Sequence, residues 1–359
     1  MKQLRVGIIG CGEVTQIAHL PSLRQLAGQF AVTALCDVSE HVVQTVGEQW
    51  QVARRFRDER ELLALDDLDA VLVANPDAYH AESALAAIAA GKHVLIEKPM
   101  CMTLREADAL RAAQERAGVV VQVGYMRRYA PAFVEACRLI PELGPVRLAR
   151  VHDVLGWNAL FIKPTSSVVR GDDVPPDLRA EGQARRERLL DEAIGEALGE
   201  AHEGLRGVYG LLLGLSTHDL SAMRELLGMP KRVLSATQRG GLYLTATFDY
   251  GDFVCQFETG INAIPRFDAH LEVYGEQRIV RVQYDTPYVR NLPIRLSIVE
   301  ANDRGGVVER CEHPAWGDPF VAEWQAFYTN VVEGRQPKTS PADFRHDLEL
   351  FRDMLAFMR

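Results

Sequence analysis

Lys98 is the residue of this chain placed most clearly for chemistry. It stands in Glu97-Lys98-Pro99, directly after the apolar run His93-Val94-Leu95-Ile96. A buried strand ending in an acid, an amine and a proline puts a cation where open α/β sheets bind ligands, outside the carboxyl ends of their strands. The chain also opens with Leu4-Arg5-Val6-Gly7-Ile8-Ile9 running into Gly10-Cys11-Gly12-Glu13-Val14-Thr15. That is the strand-to-glycine-turn pattern of a dinucleotide site. Gly10 permits the tight turn and Gly12 lets the backbone approach a pyrophosphate, which then rests on the first N–H groups of the following helix, at Glu13 and Val14. Thr15 stands where a third small residue is usual, and looser helix–strand packing is expected there. Asp37 closes the next strand in Leu35-Cys36-Asp37, where an acid accepts hydrogen bonds from the adenosine ribose and repels a 2′-phosphate. NAD is therefore expected as cofactor in preference to NADP.

Positioning such groups takes a sheet. The first 125 residues alternate short β-rich runs (Arg5–Ile9, Ala31–Cys36, Ala70–Ala74, Val94–Glu97, Val119–Val123) with helical stretches, the rhythm of a doubly wound parallel Rossmann sheet. Thr103-x-x-Glu106 forms a capping box, and Gly91 and Gly118 stop the helices before them. After Tyr125 the pattern changes to long alternating strands at 146–154, 232–239, 242–250, 253–262, 267–274, 278–284, 294–300 and 307–312. Turns at Tyr250-Gly251-Asp252 and Asp303-Arg304-Gly305-Gly306 join some of them. This predicts a mostly antiparallel open sheet with helices at 205–227, 319–333 and 341–359, an α+β domain spanning 126–359. Residues 163–204 read as an insertion, irregular to Gly182 and helical from Gln183, with a surface or subunit-contact role.

At 359 residues the chain is long enough for two domains. No apolar run approaches the roughly 18 residues a membrane span needs, and no signal segment precedes the first strand, so a cytoplasmic protein is expected. The net charge of −9 argues against nucleic acid and anionic membrane as partners. Cys11, Cys36, Cys101, Cys137, Cys255 and Cys311 are widely spaced, which suggests buried free thiols rather than disulfides or a zinc cluster. No metal site is predicted, and His19 and His152 read as structural.

The block Val71-Leu72-Val73-Ala74-Asn75-Pro76-Asp77-Ala78-Tyr79-His80, with Gly91-Lys92-His93 leading into Glu97-Lys98-Pro99, resembles the Gfo/Idh/MocA oxidoreductases, the group of glucose-fructose oxidoreductase and inositol dehydrogenase. Gly124-Tyr125-Met126-Arg127-Arg128-Tyr129-Ala130-Pro131, Ser216-Thr217-His218-Asp219 and the closing Pro319-Phe320-Val321-Ala322-Glu323 extend the likeness over nearly the whole chain. The resemblance implies hydride transfer between nicotinamide C4 and a carbinol or carbonyl carbon of a sugar, polyol or inositol-like substrate. It also implies a homodimer or homotetramer built on the open sheet.

Within that resemblance His218 is the candidate base, histidine being the side chain tuned to neutral pH. Lys98 would hold the reacting oxygen. Glu97 would position Lys98, Pro99 would fix the turn through a cis peptide bond, and Asn75 and His80 would frame the nicotinamide. Arg128, Tyr125, Trp157, Asn158 and Asp219 are candidates to line the substrate side. One departure stands out. Many dehydrogenases of this family carry an aspartate four residues before the histidine, and here that position is Gly214. Asp219 lies about 100 degrees around the helix from His218, so Asp153 or the insertion would have to supply a carboxylate, unless the substrate needs none. Two other readings follow: a redox-assisted glycoside hydrolase or lyase that holds NAD tightly, and a non-catalytic cofactor-binding protein.

Overall fold

A computed structural model describes residues 2–358. The chain divides into two compact units. The first comprises the chain up to Tyr125 together with Ser166–Ala193 and Glu323–Leu348, and the second Met126–Thr165, Ile194–Ala322 and the residues from Glu349 onward.

In the first unit six parallel strands form one sheet: β1 (Leu4–Ile9), β2 (Phe30–Cys36), β3 (Arg54–Phe56), β4 (Ala70–Val73), β5 (His93–Glu97) and β6 (Val121–Gly124), in the order β3-β2-β1-β4-β5-β6. The order reverses between β1 and β4, so the crevice at their carboxyl ends is the topological switch point where such sheets take ligands. Helices cover both faces of a parallel sheet, so its central strands are apolar throughout. Ala70, Val71, Leu72 and Val73 are accordingly all closed off from solvent. Strand β3 is additional to the five expected from sequence. Its Arg-Arg-Phe composition carries no apolar run, and all three residues are half-buried at the sheet edge. The capping box at Thr103 forms as expected, opening the Leu104–Ala117 helix that ends on Gly118 at φ +66°.

The second unit holds eight strands: β7 (Leu148–Gly156), β8 (Arg232–Arg239), β9 (Tyr243–Asp249), β10 (Val254–Asn262), β11 (Phe267–Tyr274), β12 (Arg278–Tyr284), β13 (Arg295–Ala301) and β14 (Val307–Glu312), in the order β14-β13-β12-β11-β7-β10-β9-β8. Only β7 and β10 run parallel; every other neighbouring pair is antiparallel. Alternation sorts the faces: Cys255 and Phe257 of β10 are buried, while Gln256 and Glu258, alternating with them, lie on the opposite face, which Arg150, His152 and His270 share. A sheet with one packed and one polar face is normal for antiparallel pairing.

The insertion differs from its sequence reading. Its helix begins seven residues early, at Pro176, and runs to Leu198, because proline suits the first helical turn, where its missing N–H is not needed. Residues 166–193 fold into the first unit. All six cysteines are free; Cys11, Cys36, Cys101 and Cys255 are buried, Cys137 is half-buried and Cys311 is exposed. No helix among the described residues is long and apolar enough to cross a membrane, and no cluster of metal-ligating side chains occurs among them.

Candidate active site

In the first unit the glycine turn is built tightly. Gly10 adopts φ +94°, and a Cβ there would lie 2.4 Å from the Ala74 carbonyl and the Asn75 nitrogen, so only glycine fits. Gly12 is the opposite case: a Cβ there would meet nothing within 4 Å. The space beside that backbone is open, the cradle a pyrophosphate requires. Thr15, expected to loosen the packing, is instead fully buried, and its hydroxyl donates to the Gly10 carbonyl at 2.7 Å. The helix accommodates it by opening with a π-helical turn over Thr15–His19.

Asp37 braces the turn. One carboxylate oxygen accepts the Cys11 N–H at 2.8 Å and the other the Ser39 N–H at 2.9 Å. Burial pushes this carboxyl up, the Ser39 and Cys11 bonds hold it back, and nearby Asp173 adds repulsion. Asn75, at the end of β4, donates to Ser83 at 2.8 Å, while its Oδ1 is buried with no hydrogen-bond partner. An unsatisfied buried acceptor costs stability unless a ligand supplies the donor. The open Gly12 backbone and this acceptor both fit a dinucleotide. The protein groups that would hold it are Gly10, Gly12, Glu13, Val14, Asp37 and Asn75.

Lys98 is half-buried between two closed-off neighbours, Glu97 and Pro99, and the Lys98–Pro99 bond is cis. Its backbone N–H donates to Glu97 Oε2 at 3.1 Å. Glu97 Oε1 bonds His19 Nε2 at 2.9 Å, and His19 Nδ1 accepts the Trp324 indole N–H at 3.1 Å. The indole, a donor only, fixes the tautomer: the imidazole accepts at Nδ1 and donates from Nε2. Burial alone would raise the Glu97 carboxyl, but the His19 bond and the Lys98 charge hold it below the usual carboxylate range. His19 is therefore structural in a specific sense, fixing the acid that anchors the lysine's turn. His80 ties the neighbouring loops, its Nδ1 2.7 Å from the Pro99 carbonyl and its Nε2 2.7 Å from the Asn75 carbonyl. The Gly91-Lys92-His93 motif is packing: Lys92 Nζ donates to the Leu65 and Leu68 carbonyls, and His93 Nδ1 accepts the Val120 N–H. Tyr125 is also committed within this unit, donating to Asp347 at 2.7 Å and stacking on Phe344.

In the second unit His218 is buried in the Thr217–Leu227 helix, which follows a π-helical turn over Leu212–Ser216. Gly214 lies in that turn, exposed, and a Cβ there would meet nothing within 4 Å. The room for a carboxylate exists, but the side chain does not. Asp153 is engaged by Arg127. Asp153 and Asp219 are both fully buried and share one guanidinium nitrogen, Arg127 Nη1, at 2.9 and 2.6 Å. Burial pushes the Asp219 carboxyl well above its usual range; Arg127 opposes this and Asp153 adds to it. Arg128 is similarly occupied, its Nε 2.6 Å from Glu225. Trp157 and Asn158 are exposed, and Asn158 donates to the Tyr288 hydroxyl at 2.9 Å. Of the five residues expected on the substrate side, these two alone reach solvent.

Fold and relatives together define an oxidoreductase with a nicotinamide-dinucleotide-binding Rossmann domain. Residues 4–125 match the family model described as an oxidoreductase family with an NAD-binding Rossmann fold. Along most of its length the chain is 36% identical to the inositol 2-dehydrogenase/D-chiro-inositol 3-dehydrogenase of Shouchella clausii, over 80% of this chain and 74% of that one. It is 27% identical to inositol 2-dehydrogenase 2 of Saccharopolyspora erythraea, over 92% and 86%. The chain belongs to the Gfo/Idh/MocA oxidoreductase family. The same fold occurs in a levoglucosan dehydrogenase solved with NADH and L-sorbose (TM-score 0.76, 19% identity, 99% and 96% of the two chains). It occurs also in KijD10, a 3-ketoreductase from Actinomadura kijaniata solved with NADP and TDP-benzene (TM-score 0.75, 20% identity, 100% and 98%).

Proposed function

We propose that this enzyme is an NAD-dependent dehydrogenase of a sugar, polyol or inositol-like carbohydrate, working in the cytoplasm as a homodimer or homotetramer. The observation that carries the reading is the anchoring of Lys98 by Glu97, His19 and Trp324 at the switch-point edge that also holds the open Gly12 cradle. A bound oxidised nicotinamide would supply the acceptor for a hydride leaving the carbinol carbon. The protein's part is electrostatic and acid–base. Lys98, a compact cation, binds the reacting oxygen and offsets negative charge as it develops. His218 takes the hydroxyl proton. Trp157 and Asn158, exposed beyond β7, supply a stacking face and a polar group for a carbohydrate ring. Inositol dehydrogenases among the relatives support the substrate class, and Asp37 supports NAD.

The test is absorbance at 340 nm with NAD, then NADP, against aldoses, inositols, sugar acids and glycosides, with Lys98→Ala and His218→Ala beside wild type. NADH formed in proportion to product, with turnover reduced about a hundredfold in Lys98→Ala, supports the reading. Full turnover in Lys98→Ala ends it. The absence of a carboxylate at Gly214 favours one second reading, redox-assisted bond cleavage with NAD retained. Product without net NADH would establish it.

A further inference from the structure

The insertion lies along the cofactor edge of the first unit as a strap. Gln16, in the helix after the glycine turn, pairs with it in both directions: its amide donates to the Val169 carbonyl and its carbonyl accepts the Val169 N–H, each at 2.9 Å. The same amide donates to the Cys11 carbonyl at 2.7 Å. Arg170 bonds Glu13 at 2.9 Å. A Cβ on Gly171 would lie 3.0 Å from that of Ser39. Farther along, Arg185 and Arg186 reach the loop after β4, donating to the Ala78 carbonyl and to Asp77. Strap and dinucleotide turn are thus fastened together residue by residue.

The strap delivers one charge to a telling place. Asp173 accepts the Ser39 hydroxyl with one oxygen and the His41 N–H, at 3.0 Å, with the other. Ser39 is the N-cap of the Glu40–Gln49 helix that follows β2 and Asp37. An N–H at a helix N-terminus just past the second strand is a ready anion site, and in this fold the 2′-position of the adenosine ribose sits against that strand end.

We propose that Asp173 is a cofactor-specificity residue: it fills the anion site at this helix start and, with Asp37, excludes the 2′-phosphate of NADP. This rests on the NAD-dependent reading above and adds a determinant contributed by the insertion. Asp37 occupies its two oxygens with the Cys11 N–H of the turn and the Ser39 N–H of the helix cap; Asp173 takes the donor that would otherwise welcome a phosphate. The Ser39 and His41 bonds hold the Asp173 carboxyl below its usual range, so it is ionised at neutral pH, and like charges brought face to face on binding are strongly unfavourable.

The experiment is calorimetric titration of the full chain with NAD and with NADP, for wild type, Asp173→Asn and Arg170→Ala. The asparagine keeps one oxygen for the His41 N–H, turns its NH2 toward the Ser39 hydroxyl, which can accept as well as donate, and removes the charge. Expected are preference for NAD in wild type, NADP affinity at least tenfold tighter in Asp173→Asn with NAD changed less than about threefold, and no gain for NADP in Arg170→Ala. An unchanged NAD-to-NADP ratio in Asp173→Asn overturns the proposal and leaves the dehydrogenase reading standing. So does an equal gain in Arg170→Ala, which would trace the effect to a loosened strap. Wild type that binds neither dinucleotide overturns both.

Discussion

Replacing Arg127 with methionine tests the electrostatics of the second unit most directly. The guanidinium is nearly buried, and both its carboxylate partners, Asp153 and Asp219, are at 0% exposure. Its Nη1 donates to them at 2.9 and 2.6 Å. Burial would lower the guanidinium's proton affinity, and the two carboxylates raise it above the ordinary value, so the cation is permanent. Methionine keeps the length of the stem and removes the charge, which leaves two carboxyls in a dry interior. Breaking a buried pair from one side costs about 3–5 kcal/mol. At about 2–4 °C per kcal/mol for a unit of this size, the melting temperature should fall by roughly 6–20 °C.

The loss should also depend on pH. A carboxyl whose folded pKa lies above its unfolded value, about 3.9, binds more protons folded than unfolded, so stability falls as pH rises through that window. Asp219 is already raised in the wild type and Arg127 is the group that opposes the rise, so removing Arg127 raises it further. The deficit of the variant should therefore be larger at pH 8 than at pH 5 by urea unfolding followed by circular dichroism. Adding Asp153→Leu and Asp219→Leu to Arg127→Met should recover most of the loss, since an apolar replacement removes the stranded charges. A deficit under about 1 kcal/mol at pH 8, or one of equal size at both pH values, would refute the reasoning.

The two turn glycines should separate folding from binding. Gly10→Ala, forced to φ +94° against the Ala74 carbonyl, should lose on the order of 2 kcal/mol or more in denaturant melts. Gly12→Ala should stay within about 0.5 kcal/mol of wild type yet bind NAD at least tenfold more weakly by titration. His19→Phe strands the Trp324 indole N–H and one Glu97 oxygen, each worth about 1–3 kcal/mol, and should lower kcat through the lysine's turn, with His19→Gln recovering part. Because Glu97 is held below its usual range, its stabilisation is present above about pH 4.3 and fades as pH falls through its folded value. The stability gap between wild type and His19→Phe should narrow in acid.

What the sequence made legible was whatever is encoded locally. The glycine turn, Asp37, the Thr103 capping box and the eight long strands each announce themselves within ten residues, because periodicity and turn chemistry are short-range. Strand β3 was missed because an edge strand of Arg-Arg-Phe buries too little to need an apolar run. His19 carried no local signal of its role: its partners Glu97 and Trp324 lie 78 and 305 residues away. The one available cue was that a buried tryptophan must find an acceptor. The early start of the insertion helix was readable, since Pro175-Pro176-Asp177 is a helix-opening sequence. Asp173 was not, because its meaning depends on a contact with Ser39 and His41 across more than 130 residues.

Trp324 also bears on how the protein is made. It packs edge-on against Phe30 at 5.1 Å, as Tyr328 does at 5.6 Å, and Tyr328 bonds the Lys2 carbonyl. The opening strands of the dinucleotide unit thus receive their cover from the last tenth of the chain. During synthesis, which runs from the N-terminus, the nascent sheet leaves the ribosome with Phe30 bare and the His19–Glu97 contact unsupported by its indole. Translation must run on from Gly124, the end of the last strand of the sheet, to Trp324 before the unit closes. A fragment ending at Tyr125, expressed alone, should therefore require a chaperone or supplied residues 319–355 to stay in solution.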